Sequence, residues 1–148
     1  MGILSALVFL PFVTALAVLV APRARLIRWI ALLGTGGHLV LTAWTTHLFL
    51  RHPQFSFVEK WDWFKSMGIQ YHLALDGISL AMVILTSIII FTGVLASWEV
   101  THRAREFFAL LLILVTGVFG VFLSFDLFLF FVFYEVAVLP MYLLISIW

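Results

Sequence analysis

Long apolar segments separated by short polar links make up most of the chain. At about 1.5 Å of rise per residue, roughly 20 helical residues cross the hydrocarbon core of a bilayer. Five stretches are of about that length and nearly free of charge, approximately 3–21, 26–50, 78–98, 107–124 and 127–148. The pattern predicts an all-α, polytopic membrane helix bundle of about five transmembrane helices, forming one transmembrane domain over residues 1–148.

Composition supports a membrane protein and removes several other classes. The 148 residues are 65% hydrophobic and only 10% charged, whereas soluble domains carry about 25% charged residues. The net charge of +1 gives no electrostatic reason to expect a nucleic-acid partner. Cysteine is absent, and no phosphate loop or metal motif occurs, so we expect no cofactor and no metal on this chain. The first stretch lacks a signal-peptide pattern and is predicted to be a span.

The link at about 51–76 is the longest extramembrane segment. It is rich in aromatic residues, which settle at the level of the lipid headgroups. We expect it to be an amphipathic link that lies on the membrane or against a partner, without forming a domain. Asp76 at its end is predicted to cap the third helix. The aromatic residues are Phe55, Phe57, Trp61, Trp63 and Phe64.

Basic residues are distributed unequally among the links. The first link carries Arg23, Arg25 and Arg28 and the third carries Arg103 and Arg105, which makes five. The second and fourth links together carry three, Arg51, Lys60 and Lys65. Because Lys and Arg favour the cytoplasmic side, the N-terminus is predicted outside and the C-terminus inside.

Small residues recur within the predicted spans. Such residues let helices approach closely in lipid, where no hydrophobic effect drives helices together. We therefore expect them to lie at helix–helix contacts. They include Gly34, Gly36, Gly37, Gly93, Ser97, Gly117 and Gly120.

The fifth stretch carries one carboxylate, Glu135, and one proline, Pro140. Glu135 lies about 12 Å along a helix from Leu127. Intramembrane acids usually face a bundle interior or a wet cavity, so Glu135 is the candidate proton carrier. Pro140 cannot donate to the carbonyl of Val136, which predicts a kink and a freed carbonyl beside Glu135. A neutral Glu135 hydrogen-bonded to a neighbouring helix is the plainer alternative.

His38 lies near the middle of the second stretch. An imidazole at that depth is suited to relay a proton. It is equally suited to donate one hydrogen bond to a carbonyl and do nothing more. The residues alone leave both interpretations open.

From about Tyr71 onward the sequence resembles a known family. The segments LALDGISLAMVILTSIII and EFFALLLILVTGVFGVFLSFDLFLFFVFYEVAVLPMYLLISIW are similar to the antiporter-like subunits of respiratory complex I. The run EVAVLPMY, from Glu135 to Tyr142, resembles subunit M in particular, because related subunits share the glutamate without the proline and Met-Tyr pair. The resemblance covers the second half well and the first half only in layout.

The resemblance implies a proton-translocating subunit of an NADH:quinone oxidoreductase in a bacterial inner membrane. Glu135 would then be the acid of a glutamate–lysine pair beside a broken-helix channel. Flavin, iron–sulfur clusters and quinone would belong to partner subunits, with no redox chemistry on this chain. Family members have many more spans, and the partner lysine lies on later ones, so the chain is expected to be an N-terminal portion.

Two alternatives remain from the sequence. Multisubunit cation/proton antiporters and membrane-bound hydrogenases contain homologous subunits with the same glutamate. A helical bundle that only scaffolds assembly, with Glu135 merely hydrogen-bonded, would also fit the composition.

Overall fold

The computed structural model describes residues 2–52 and 57–148, and this part of the chain contains five helices that are long and apolar enough to span a membrane. The predicted all-α membrane bundle is thereby confirmed. The helix ends differ from the predicted stretches by at most three residues. The helices are α1 (Ile3–Val20), α2 (Ala24–Arg51), α3 (Gly77–Ala96), α4 (Ala104–Leu123) and α5 (Leu127–Ile147).

Helix α4 occupies the middle of the bundle. It packs most extensively against α5 and α1, while α2 packs against α1 and α3. Its Phe108 and Phe119 side chains are fully buried, each in a different apolar cluster. Because lipid tails are as apolar as these side chains, close packing and hydrogen bonds must hold the helices together. Hydrogen bonds between the helices therefore matter more than the burial of apolar area.

Glycines allow α5 to lie directly on α4. A Cβ atom at Gly117 would lie 2.5 Å from the backbone nitrogen of Ala137, and one at Gly120 would overlap the ring of Phe133. Gly93, in contrast, has no atom within 4 Å of the corresponding position. The predicted packing role therefore holds at the α4–α5 contact and does not extend to Gly93.

A β-hairpin joins α2 to α3. Strands β1 (Val58–Phe64) and β2 (Ile69–Ala74) are antiparallel, with Trp61 opposite Tyr71. A 3₁₀ turn and Gly68 connect them. Gly68 has a φ of 69°, a left-handed conformation that glycine adopts without steric cost.

This hairpin was not predicted from the sequence. Ile69, Tyr71 and Leu73 alternate with Gln70 and His72, which is the period of two that a strand requires. The many aromatic residues of the link also fit an amphipathic segment on the membrane, and the alternation was therefore overlooked. Phe55 lies outside the described residues, and contact of the link with the membrane surface remains a prediction.

The connection between α4 and α5 holds the second strand in place. The Phe125 backbone N–H donates to the carbonyl of His72 over 2.8 Å. The Asp126 carboxylate accepts from the Gln70 backbone N–H and also caps α5. Although partial desolvation raises it, the N–H groups of Leu129, Gln70 and Phe128 bring the pKa of Asp126 below its ordinary value. One charged side chain thus ties the hairpin to the start of α5.

Glu59 of β1 fastens the first strand to α1. Its Oε2 atom accepts from the backbone N–H of Ser5 at 2.8 Å and from the Ser5 hydroxyl at 2.7 Å. Helix α1 has no capping side chain of its own at Gly2, and a Cβ at Gly2 would overlap the Glu59 carboxylate. Glu59 therefore caps α1 from 54 residues away.

Arginine side chains hold the opposite end of the bundle. Arg105 donates to the carbonyl of Ala21, just beyond α1, at 2.9 Å. Arg28 donates to the carbonyl of Val100, in the α3–α4 connection, at 3.3 Å. The α1–α2 and α3–α4 connections therefore share one end, and the hairpin and the α4–α5 connection share the other.

The predicted cap of α3 is confirmed. Asp76 precedes the helix in an extended conformation, and its Oδ1 atom accepts from the Ser79 backbone N–H at 2.7 Å. The hydrogen bonds from Ser79 lower the pKa of Asp76. A carboxylate that is charged at neutral pH favours the positive end of the helix dipole.

We predict that Glu59→Ala destabilises the chain by about 1–2 kcal/mol, because the start of α1 loses its only side-chain acceptor among the described residues. Thermal unfolding of the purified assembly measures the effect. Lys60→Ala, at the neighbouring exposed position, is the control and should leave the midpoint unchanged. Equal midpoints for the two variants would show that Glu59 is not a cap.

We also predict that Gly117→Ala impairs packing of α5 on α4. The added methyl group meets helix backbone, which cannot turn aside, and overpacking of this kind costs about 1–3 kcal/mol. Gly93→Ala makes the same chemical change in open space and should be neutral or mildly stabilising. Yield of assembled complex and thermal midpoint report both variants, and equal losses would contradict the prediction.

Candidate functional site

Glu135 lies on the outer face of α5. Its side chain is exposed, and so are its neighbours along the same helix face. These neighbours are large and apolar, with Phe131 56%, Leu139 63% and Tyr142 67% exposed. The face therefore presents one carboxylate within an apolar stripe that the other described helices leave uncovered.

The expectation that Glu135 faces the bundle interior is not met within these five helices. In residues 2–52 and 57–148, its side chain has no hydrogen-bond partner. A carboxyl group is costly against lipid tails and is normally turned toward protein or water. The carboxyl-bearing stripe is consequently suited to contact with further protein.

Pro140 is buried, and α5 continues as an α-helix through it to Ile147. The missing N–H of Pro140 deprives the carbonyl of Val136, the residue next to Glu135, of its helical donor. Val136 lines a mostly apolar cavity of about 490 Å³ between α5, α1 and the hairpin. Pro140 therefore leaves one carbonyl without its helical donor beside Glu135, while the kink expected there stays a prediction.

His38 lies in the interior, away from Glu135. It is 1% exposed, and its Nε2 atom is 2.7 Å from the carbonyl oxygen of Leu7. Its ring stacks on Phe119, with ring centroids 4.3 Å apart. No hydrogen bond joins His38 to Glu135 in the part of the chain that is described. The structure thus separates the two titratable candidates, one inside the bundle and one on its surface.

A further polar cluster was missed by the sequence analysis. Tyr71 of β2 lies 2.9 Å from the Ser5 hydroxyl, which itself donates to Glu59. Burial raises the pKa of Tyr71, which keeps the phenol protonated as the donor to Ser5. Glu59 Oε1 is buried and has no partner among the described groups. Only the hairpin register, which the sequence did not reveal, brings Glu59 and Tyr71 to the start of α1.

Metal ligands are not concentrated anywhere in the described ranges. No group of three His, Asp or Glu side chains there could hold a metal ion.

Known proteins that resemble the chain are quinone oxidoreductase subunits. It is 39% identical over 149 residues to NAD(P)H-quinone oxidoreductase chain 4 1 of Synechococcus sp. (strain JA-3-3Ab), covering 98% of the chain and 28% of that relative. It is 38% identical over 156 residues to NADH-quinone oxidoreductase subunit M of Buchnera aphidicola subsp. Schizaphis graminum. That match covers 99% of the chain and 31% of the relative. No protein-family model matches. The chain thus spans less than a third of the length of these relatives.

Two solved structures share the fold of the chain. A chain of respiratory complex I from Thermus thermophilus with bound NADH matches 95% of this chain at 28% identity, with a TM-score of 0.78 and 28% of that chain covered. A chain of an archaeal membrane-bound sulfane sulfur reductase matches 99% of this chain at 17% identity, with a TM-score of 0.84 and 23% of that chain covered. At this identity the match shows the fold alone. Over the part of their length that it spans, the chain is therefore homologous to NADH-quinone oxidoreductase subunit M and NAD(P)H-quinone oxidoreductase chain 4.

Proposed function

We propose that the protein works as a proton-translocating membrane subunit of an NADH:quinone oxidoreductase, with Glu135 as its intramembrane proton carrier. The observation that carries this proposal is the position of Glu135, the only charged residue of α5, on an exposed apolar face at membrane depth. The relatives support the enzyme class, since they bear the names of quinone oxidoreductase subunits.

Physical chemistry gives Glu135 a way to take up and release a proton. In an apolar environment the neutral acid is favoured, whereas a positive charge close by favours the carboxylate. A cationic group that approaches the exposed face of α5 would release the proton, and its withdrawal would allow reloading. By the resemblance to the antiporter-like subunits, a lysine would take this role.

The rest of the proposed machinery belongs to partners. We propose that other membrane subunits contact this one and that redox subunits carry the flavin, the iron–sulfur clusters and the quinone site. In this arrangement no electron passes through the chain itself. Its contribution to the enzyme is to convert movement around Glu135 into proton transfer.

The location follows from the distribution of charge. Arg28 and Arg105 lie at the end of the bundle shared by the α1–α2 and α3–α4 connections. We propose that this end faces the cytoplasm of a bacterium, in its inner membrane, with the N-terminus outside and the C-terminus inside.

The fold does not by itself select the enzyme. The sulfane sulfur reductase chain shares it at only 17% identity, so related cation/proton antiporters and hydrogenases remain the alternative class. Sequence identity favours the quinone oxidoreductase. A dependence of transport on sodium ions would favour the antiporter instead.

We predict that Glu135→Gln in the assembled complex reduces proton translocation to a small fraction of the wild-type rate. The amide keeps the size of the side chain but cannot bind and release a proton. Proton uptake into inverted membrane vesicles, compared with NADH oxidation in the same vesicles, measures the ratio of protons moved to electrons transferred.

Glu99→Gln is the matched control, because Glu99 is exposed in the α3–α4 connection, outside the spans. It should leave the ratio unchanged. Full translocation by Glu135→Gln at a normal rate of electron transfer would overturn the proposal. The remaining interpretation would then be a scaffold role. In that case substitutions at Gly117 impair assembly, and substitution of Glu135 leaves translocation unchanged.

The orientation is tested separately with single cysteines, since the chain has none. Lys65 and Glu99 are exposed at opposite ends of the bundle. A membrane-impermeant maleimide should label Lys65→Cys in intact cells and Glu99→Cys only in inverted vesicles. The reverse pattern would invert the proposed topology without affecting the role of Glu135.

A further inference from the structure

Pro11 interrupts the hydrogen bonds of α1 in the middle of its span. Residue 11 would normally donate its backbone N–H to the carbonyl of Leu7, four residues earlier, but proline has no N–H. Leu7 is fully buried. A carbonyl left without a donor in a dry, apolar interior is strongly unfavourable.

His38 supplies the missing donor from α2. Its Nε2 atom lies 2.7 Å from the Leu7 carbonyl oxygen, in a buried position. A carbonyl oxygen only accepts hydrogen bonds, so Nε2 must carry the hydrogen. The imidazole of His38 therefore occupies the role that the backbone N–H of residue 11 would have in an uninterrupted helix.

The other ring nitrogen is held by two hydroxyl groups. Nδ1 of His38 is 3.3 Å from Ser87 Oγ and 3.4 Å from Thr42 Oγ1, and these two oxygens are 2.8 Å apart. With Nε2 protonated in the neutral ring, Nδ1 is an acceptor. One hydroxyl can donate to Nδ1 while the other donates to that hydroxyl. The hydroxyl pair is thus compatible with the tautomer that the Leu7 carbonyl requires.

Four helices meet at this ring. Leu7 belongs to α1, His38 and Thr42 to α2, Ser87 to α3, and Phe119 of α4 stacks on the imidazole. We propose that His38 is a fixed, neutral N–H donor that replaces the hydrogen bond removed by Pro11, and that it locks α1, α2 and α3 together instead of relaying protons. The Nε2 side leads only to a backbone carbonyl, which is not a site that holds a transferred proton.

A double-mutant cycle tests the pairing of His38 with Pro11 in the full-length protein within its native assembly. His38→Leu should lower the thermal midpoint by at least about 2–4 °C, as expected when a buried carbonyl loses its donor. Pro11→Ala restores a backbone N–H opposite Leu7. In that background the loss caused by His38→Leu should be much smaller.

His47 provides the matched control, because it lies on the same helix and is exposed. His47→Leu should have the same small effect with Pro11 and with Pro11→Ala. An equal loss from His38→Leu in both backgrounds would overturn the pairing. These stability measurements do not depend on the proposed proton transport.

Two further measurements separate a lock from a relay. His38→Gln keeps an N–H donor but cannot titrate, so its ratio of protons moved to electrons transferred should match the wild type. This readout rests on the proposed function, and loss of translocation in a well-assembled His38→Gln complex would show a relay. Solid-state NMR of ¹⁵N-histidine in the wild-type protein should show His38 as the Nε2–H tautomer, and an Nδ1–H tautomer or an imidazolium would overturn the assignment.

Discussion

Helix α1 depends on side chains from elsewhere for its backbone hydrogen bonds. Glu59 of β1 accepts from the Ser5 N–H at its start, His38 of α2 donates to the Leu7 carbonyl in its middle, and Arg105 of α4 donates to the Ala21 carbonyl at its end. In hydrocarbon an unsatisfied backbone group costs several kcal/mol. The hairpin, α2 and α4 therefore each supply a hydrogen bond to the first span, which links them into one unit.

The same bundle has one open side. Hydrogen bonds join helices α1 to α4 to one another. Helix α5 lies on α4 at Gly117 and Gly120, but most of its surface remains exposed. Glu135 lies on that exposed helix, and His38 lies within the locked part. Helices α1 to α4 thus form a rigid support for Glu135, which lies on an uncovered helix face. This arrangement suits proton transfer at a contact between α5 and further protein.

Some of this architecture was accessible from local patterns. Helices are periodic, apolar and long, so five spans follow from hydropathy, and the cap at Asp76 follows from a local Asx signal. The hairpin was missed, although the alternation from Ile69 to Leu73 encodes it, because its polar face and its aromatic residues also fit an amphipathic link. Glu135 was expected inside a bundle but is exposed among the described helices. The exposure of its side chain depends on which helices pack around α5, and the sequence of α5 alone does not contain that information.

The sequence by itself determined the membrane class, the spans, the isolated acid at Glu135 and the two prolines within spans. Those properties depend on residue type and spacing along one helix, which local physics decides. Only the tertiary structure decided that Glu59 caps α1 and that His38 meets the carbonyl freed by Pro11. Each of these contacts joins residues 31 or more positions apart in sequence. A partner at such a distance is selected by helix packing and strand register, which no local pattern contains.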